Sequence, residues 1–478
     1  MPTDTVPAGD GSESFYKAQE RIYPKRVSGR YRNLKWIAMV ITLGIYYLVP
    51  FLRFDRGPNA PDQAVLIDME RGRAYWFWLE IWPQEVFILT AILIFSAIAL
   101  FFVTSLFGRV WCGYYCPQTV WTDLFVWVER VFQGDRNARK KLREGPWTFE
   151  KVRKVGVTHL VWLAIAWATA GSFVLYFNDA PTLVQSFLET SVSTTVLVFI
   201  IGLTFSTYLM AGFAREQVCI YMCPYSRFQS AMFDKDTLII GYDEHRGEPR
   251  GKFDRTGKKM QGDCIDCSLC VQVCPTGIDI REGLQLECIA CGLCADACDG
   301  VMEKLDKPKG LVGYETQNRI EAKRANPTDD MPPLRLLRGR SIYYMVVLTI
   351  VAIVAAYAMT TRSLHQITAI HDRAPLFVQL SDGNVRNGYD LKILNKTHYP
   401  KSYSLRVDGL ANADIQILTG EIAPDGRLYV PADTVSRFRV FVAAEPKSMA
   451  KWDIQFHITQ DETGETASYE SIFFSARP

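Results

Sequence analysis

The chain has 478 residues and nearly balanced charge, 53 Lys and Arg against 51 Asp and Glu, for a formal net charge of +2. That balance gives no electrostatic reason to expect nucleic acid as a partner, and the length suits about three domains of ~150 residues. Mean hydropathy is near zero, but it averages two populations: long uncharged runs in the middle, and polar protein at both ends and over 214–340.

In chain order, the N-terminal segment 1–35 opens MPTDTVPAGDGSESF, without the basic-then-apolar order of a cleavable signal peptide. Five runs follow that approach the ~20 apolar residues needed to cross a bilayer: 36–52, 86–107, 155–177, 191–214 and 341–361. One such run could be the buried helix of a soluble protein, but five in one chain point to a lipid bilayer. The first is the shortest and carries Pro50. Loop 108–154 holds ten Lys and Arg, including RNARKKLR; loop 178–190 holds none, and 53–84 holds four Arg. The positive-inside rule then places the N-terminus in the cytoplasm and everything after the fifth run outside. All twelve cysteines fall in 112–298, on the segments assigned to the cytoplasm. Free thiols persist in that reducing compartment, so cysteine placement agrees with the charge rule.

WCGYYCPQTVW (111–121) and VCIYMCPYSRF (218–228) align at an offset of 107 residues, each at the end of an apolar run. Cys112, Tyr114, Cys116, Pro117, Thr119 and Trp121 match Cys219, Tyr221, Cys223, Pro224, Ser226 and Phe228. Spacing of i, i+4 predicts both sulfurs of a motif on one helix face, and proline suits a helix start or a break. Cysteine in a membrane domain is often only a small apolar filler, but four in a duplicated CxYxCP frame favour a site. Soft thiolates select Cu(I), zinc or iron–sulfur clusters, and spacing alone leaves copper, a flavin or a quinol head group open. Met222 is a further soft ligand in the second motif.

Residues 264–275 read CIDCSLCVQVCP and 288–298 read CIACGLCADAC, each C-x2-C-x2-C-x3-C. This is the bacterial ferredoxin spacing for two 4Fe-4S clusters, in which the fourth cysteine of each run ligates the other cluster. The crossed pattern assigns Cys264, Cys267, Cys270 and Cys298 to one cluster, and Cys288, Cys291, Cys294 and Cys274 to the other. Structural zinc sites use paired CxxC units separated by longer loops instead. The second run ends Cys298–Asp299 where proline would be expected.

Other candidates have plainer readings. His159 sits in an apolar run, where an ionisable residue suggests function, yet a satisfied interfacial histidine fits equally. Asp243, His245, Glu248 and Arg250 read as a solvated loop, Trp76, Trp78 and Trp82 as an outer aromatic belt, and His398 and His457 as structural. After the fifth run, SYSLRV, ADIQIL, RLYVPA, RFRVFVA and WDIQFHIT alternate between DG, NG and NAD turns, the pattern of a β-sandwich. The expected architecture is membrane α-helical, with a cytoplasmic N-terminal segment 1–35, a four-helix membrane domain 36–214, a two-cluster ferredoxin domain and linker 215–340, a fifth transmembrane helix 341–361 and a C-terminal all-β sandwich 362–478.

GRAYWFWLEIWPQE, GRVWCGYYCPQTVWTDLF with WVER, GDRNARKKL, DAPTL, AGFAREQVCIYMCP and RGEPRG, together with the two ferredoxin runs, resemble the cytochrome c oxidase accessory protein family (CcoG, FixG or RdxA) over nearly the whole chain. The resemblance implies a bacterial inner-membrane, polyferredoxin-like protein with a periplasmic immunoglobulin-like domain, needed for maturation of cbb(3)-type cytochrome c oxidase. It also implies reduction of Cu(II) to Cu(I) on the cytoplasmic side, feeding a P-type copper exporter and oxidase assembly factors. Cys112, Cys116, Cys219 and Cys223 are then the expected copper reduction site. Two other readings stand beside it: a quinol-dehydrogenase-type electron-transfer subunit, and a non-catalytic assembly scaffold. The electron donor is open, quinol being one candidate.

Overall fold

An apolar run in lipid must pair every backbone N–H and C=O within itself, which leaves the helix as its only open-chain form. The computed structural model describes residues 21–57, 60–252, 261–325, 332–423, 426–446 and 449–475, so the first twenty residues of the expected N-terminal segment lie outside the described residues. Among the described residues, five helices are long and apolar enough to cross a membrane: Arg30–Phe51, Pro83–Phe107, Phe149–Leu175, Thr194–Ala214 and Gly339–Thr360. The first and third begin ahead of their apolar runs, because helical hydrogen bonding continues through Arg30, Arg32 and Lys35, and through Glu150, Lys151, Arg153 and Lys154. Hydropathy marks where lipid would begin, not where the helix does.

The chain forms two units. The first comprises Met1–Leu48, Leu93–Val174 and Glu189–Ile350. Here Asp296 accepts from the backbone N–H groups of Tyr31 (3.1 Å) and Arg32 (2.7 Å), so a ferredoxin-domain carboxylate caps the N-terminus of the first long helix. The cap satisfies two orphan donors and places negative charge at the positive end of the helix. Gly29 is required beside it, since a Cβ there would overlap the Asp296 carboxylate. Helix Pro117–Gln133 lies near the same place and supplies a half-buried carboxylate, Asp123, and a buried one, Glu129. Asp123 accepts twice from Arg32 Nη1 (2.8 and 2.9 Å), with Lys35 3.8 Å away. Glu129 pairs with Arg215 (2.6 Å), Arg139 (2.8 Å) and Arg21 (2.9 Å). Burial opposes charge on Glu129, but Arg215 and Arg139 outweigh it and hold the carboxyl below the usual range. Arg139, part of the basic run RNARKKLR, is therefore a buried ion-pair partner and not a solvated charge.

The cysteine runs lie between strands Leu238–Tyr242 and Val312–Thr316, which pair antiparallel over a core of Ile240, Ile280, Ala290, Ala295, Met302 and Val312. Asp299 has a structural reason. It lies inside helix Leu293–Lys304, where proline would remove a backbone donor and break the helix, and its carboxylate accepts from Gly310 N (2.8 Å). Pro275, by contrast, follows the end of the short helix Leu269–Val273.

The second unit comprises Val49–Ile92, Leu175–Leu188 and Val351–Pro478. It is built on the expected sandwich. One sheet runs Asp414–Thr419, Thr434–Ala444, Val385–Asn395, His365–His371, with Val378–Gln379 added at Val385–Asn395; the other runs Leu428–Val430, Lys401–Asp408, Lys451–Gln460, Thr466–Phe474. Tyr389, Leu391, Tyr403, Phe438, Val440, Phe456 and Phe473 form its core. The Asn387–Gly388 pair, expected as a turn, lies inside strand Val385–Asn395. Buried Asn387 there binds Phe474 N and O, while a Cβ at 388 would overlap the Asp372 carboxylate. The unit also holds a three-stranded sheet, Val65–Asp68, Arg73–Trp76 and Leu79–Ile81. Trp78 and Trp76 are exposed, but Trp82 is 4% exposed under the Arg73 guanidinium (3.6 Å to the ring), a packed residue and not part of a belt. Arg73 also pairs with Glu80 (3.3 Å) and Asp433, and Lys396 with Glu85 (2.7 Å).

Two predictions follow from these contacts. Asp296→Ala removes the cap and costs about 1 kcal/mol, read as faster amide hydrogen exchange at Tyr31 and Arg32; unchanged exchange would show that the cap is not holding the helix start. Burial and the neighbouring Asp433 raise Glu80 to about 7 against an ordinary 4.5. The folded protein therefore keeps a proton that the unfolded chain has released, and stability falls as pH rises through that window. Glu80→Gln should unfold at a higher temperature than wild type at about pH 8, with little difference at about pH 5.

Candidate metal centre

Each ferredoxin run folds into the same loop. Asp266 and Ser268 in the first (φ 52° and 53°) and Ala290 and Gly292 in the second (φ 50° and 73°) hold left-handed conformations at equivalent places. Three of the four are not glycine, and strain repeated at matched positions marks a constrained, functional loop. The loops surround two apolar cavities. One is lined by Cys264, Cys267, Cys270 and Cys298 together with Leu269, Val301 and Met302. The other is lined by Cys274, Cys288, Cys291 and Cys294, with Cys270 at its edge. Thiols are poor anions in such surroundings: burial pushes Cys270 up to about 11, and Cys288 and Cys298 up to about 12. A cationic iron–sulfur core offsets that penalty, so these residues fit the group. Cys267 is exposed whereas Cys291 is buried, so one cysteine set reaches solvent and the other faces inward.

The first membrane motif rests on the inward set. Arg109 donates to Cys288 O (3.3 Å) and to Leu286 O, and the Tyr114 hydroxyl donates to Cys291 O (3.0 Å). Gly113 sits so close that a Cβ would lie 2.7 Å from Ile289 O and 3.1 Å from Cys291 Cα. Only glycine allows this approach. Cys112 packs in one apolar cluster with Ile289, Cys291 and Leu293.

The duplication in sequence is a duplication in structure. Cys116 N donates to Trp111 O (2.9 Å) and Cys223 N to Val218 O (2.7 Å), the same wide turn twice. Both second cysteines are extended, and both prolines occupy the first position of the next helix, Pro117–Gln133 or Pro224–Ala231, where a missing N–H costs nothing. The two sulfurs of a motif therefore do not share one helix face: the chain leaves the helix between them. The second motif is itself a π-helical turn, Val218–Met222, reached through another, Met210–Ala214, with Arg215 at φ 42° between them. Such turns recur at functional sites.

Gln229, fully buried, ties the repeats together. Its Oε1 accepts from Cys112 Sγ (3.1 Å) and Arg109 Nε (3.1 Å), while Arg109 Nη2 donates to Ser226 O (2.7 Å). Burial raises Cys112 to about 12, opposed by Arg109 and reinforced by Cys116, Cys219 and Cys223. Burial likewise raises Cys219 to about 11, reinforced by Cys116 and Cys223. Cys112 is thus within electrostatic reach of both thiols of the second motif, and Cys219 of Cys116. Among the described residues, no three His, Cys, Asp or Glu side chains close around a single ion.

The remaining candidates lie elsewhere. His159 Nδ1 bonds the Tyr208 hydroxyl (2.8 Å) and its ring packs on Trp162 and Phe213, a satisfied histidine. Asp243 caps the turn Glu244–Gly247, and Glu248 accepts from Tyr242 and from Arg250 N. Met222 is exposed; His398 faces Glu80 (3.9 Å) and His457 faces Asp408 (3.4 Å). The residues not singled out from sequence are Arg109, Gly113 and Gln229; only the spacing of Gly113 inside WCGYYCP could have drawn notice.

Family models match a 4Fe-4S dicluster domain at residues 214–317, a 4Fe-4S binding domain at 89–136, and the immunoglobulin-like fold at the C-terminus of FixG at 355–476. Nitrogen fixation protein FixG of Rhizobium meliloti is 42% identical, covering 97% of this chain and 94% of its own. Proteins RdxB and RdxA of Cereibacter sphaeroides are 43% and 42% identical, covering 97% and 98% of this chain and 98% and 100% of theirs. A crystal structure of a FixG-related protein from Vibrio parahaemolyticus matches 24% of this chain and 98% of its own, at 27% identity and a TM-score of 0.21. The chain belongs to the FixG/RdxA family, membrane proteins that carry iron–sulfur clusters and transfer electrons.

Proposed function

We propose that this protein reduces Cu(II) to Cu(I) at Cys112, Cys116, Cys219 and Cys223. Two 4Fe-4S clusters, held by Cys264, Cys267, Cys270 and Cys298 and by Cys274, Cys288, Cys291 and Cys294, supply single electrons when bound. The two cysteine-lined cavities support that division of ligands. One observation carries the copper reading: the first CxYxCP motif is seated on the loop of the inward cysteine set, through Gly113, Tyr114 and Arg109. Cu(II) accepts one electron, and soft thiolates favour the Cu(I) that results.

The chain's own groups prepare the site. Cys112 and Cys219 stay protonated at neutral pH because burial disfavours their thiolates. An arriving cation reverses that balance and displaces the protons. Thr119 beside Cys219 and Arg109 beside Cys112 both favour the thiolate form. Cu(I) commonly takes two ligands, so the four thiols offer successive pairs and need no closed cage. The site works on the cytoplasmic side of the inner membrane in this reading, delivering Cu(I) toward a P-type exporter and cbb(3)-type oxidase assembly, with the immunoglobulin-like domain in the periplasm. Twelve cysteines confined to 112–298 and the basic loop 108–154 support that orientation.

The test uses purified protein with dithionite-reduced clusters, adding Cu(II) while a chelator traps Cu(I) and cluster absorbance is followed. Wild type should oxidise its clusters as Cu(I) appears, and the double variant Cys116→Ala, Cys223→Ala should keep its clusters and stop. Equal copper reduction by the variant would remove the motifs from the reaction.

A further inference from the structure

A cavity separate from the two cysteine-lined ones lies in the first unit, beside the proposed copper site. Helix Pro117–Gln133 lines it with Thr119, Thr122, Asp123 and Val126, and the ferredoxin domain closes it with Thr276 and Ile289. Thr276 follows Cys274 by two residues and Ile289 lies between Cys288 and Cys291, so anything bound there is adjacent to the inward cysteine set. Cys219, Arg215 and Glu216 form part of its wall. The cavity is largely apolar and holds about 590 Å³ of empty space, its solvent-open part included.

One buried donor there lacks a hydrogen-bond partner inside the protein. Arg215 is 4% exposed; its Nη2 binds Glu129 (2.6 Å) and its Nε binds Gly212 O (2.8 Å), but its Nη1 has no hydrogen-bond partner. A guanidinium N–H left unmet in the interior costs about 1–3 kcal/mol or more. Glu216 is 7% exposed and, among the described residues, makes no ion pair. The backbone holds Arg215 at a strained φ of 42°, and Gln118 Nε2 fixes it by donating to Met210 O (2.9 Å) and Arg215 O (3.1 Å). Arg215 and Glu216 line an apolar slot directly after the fourth membrane-crossing helix, beside the inward cysteine set.

We propose that this cavity binds the head group of a membrane quinol, the electron donor. A flat apolar ring with an oxygen at each end suits the slot: one oxygen accepts from Arg215 Nη1, and the opposite hydroxyl donates to Glu216. Oxidation of one quinol to quinone releases two electrons, one for each 4Fe-4S cluster, and two protons, the first to Glu216 and both finally to water. The inference relies on the copper reading only for where the electrons go next.

The test measures binding of decylubiquinone to the full-length protein in detergent, and separately cluster reduction by decylubiquinol. Wild type should bind and be reduced. Arg215→Gln should weaken binding about tenfold or more, and Thr122→Trp, which fills the slot and leaves every ion-pair residue in the sequence, should abolish it. Glu216→Gln should bind normally but slow quinol-driven reduction about a hundredfold or more, because an amide cannot take the proton. Glu216→Gln and Thr122→Trp should still reduce copper from dithionite-reduced clusters. Binding that is absent in wild type, or equal in Thr122→Trp, overturns the proposal. Failure of dithionite-reduced wild type to reduce copper would instead overturn the copper reading and leave quinone binding standing.

Discussion

Backbone-to-backbone contact between residue 113 and the 286–291 loop is the constraint on which the rest of the site depends. A missing side chain at Gly113 lets one CxYxCP motif lie directly on the peptide groups of Ile289 and Cys291. Tyr114 and Arg109 fix the register by donating to carbonyls of that loop. The second motif is tied to the first through Gln229 and Arg109. A side chain at 113 would have to push the two elements apart, which in packed interiors costs about 1–3 kcal/mol.

Docking of the ferredoxin domain to the helices uses charge as well as shape. Asp296 caps the first long helix, and that helix then presents Arg32 and Lys35 to Asp123. Glu129 gathers three arginines from distant parts of the chain, one of them Arg215 at the turn before Cys219. Breaking a buried pair by removing one member costs about 3–5 kcal/mol. These pairs therefore fix one arrangement of the motif-bearing segments. The same network leaves Arg215 Nη1 unspent, so a structural residue also presents a donor to the neighbouring cavity.

Much of this was legible in the sequence where a covalent pattern dictates geometry. C-x2-C-x2-C-x3-C spacing led to two cysteine sets, and each set lines a cavity, with Cys270 lining both. The offset of 107 residues between WCGYYCP and VCIYMCP led to a structural repeat, down to the matching hydrogen bonds of Cys116 and Cys223. What sequence did not disclose depends on contacts distant along the chain. Asn387–Gly388 has turn composition but sits mid-strand because Asp372 and Phe474 occupy its surroundings. Trp82 looks like a belt residue until Arg73 covers it. Asp299 seemed a departure from the ferredoxin pattern, yet it is what allows helix Leu293–Lys304 to continue. Hydropathy located the five long helices but not their polar first turns, whose partners are on other segments.

The central claim is that the four motif thiols receive copper as its electron arrives. X-ray absorption at the copper edge, on reduced protein frozen after a single addition of Cu(II), tests it most directly. The account predicts cuprous copper with sulfur in its first coordination shell, and loss of that sulfur shell when Cys112 and Cys219 are replaced by alanine with the clusters intact. Copper surrounded only by nitrogen and oxygen in the wild-type protein would contradict it.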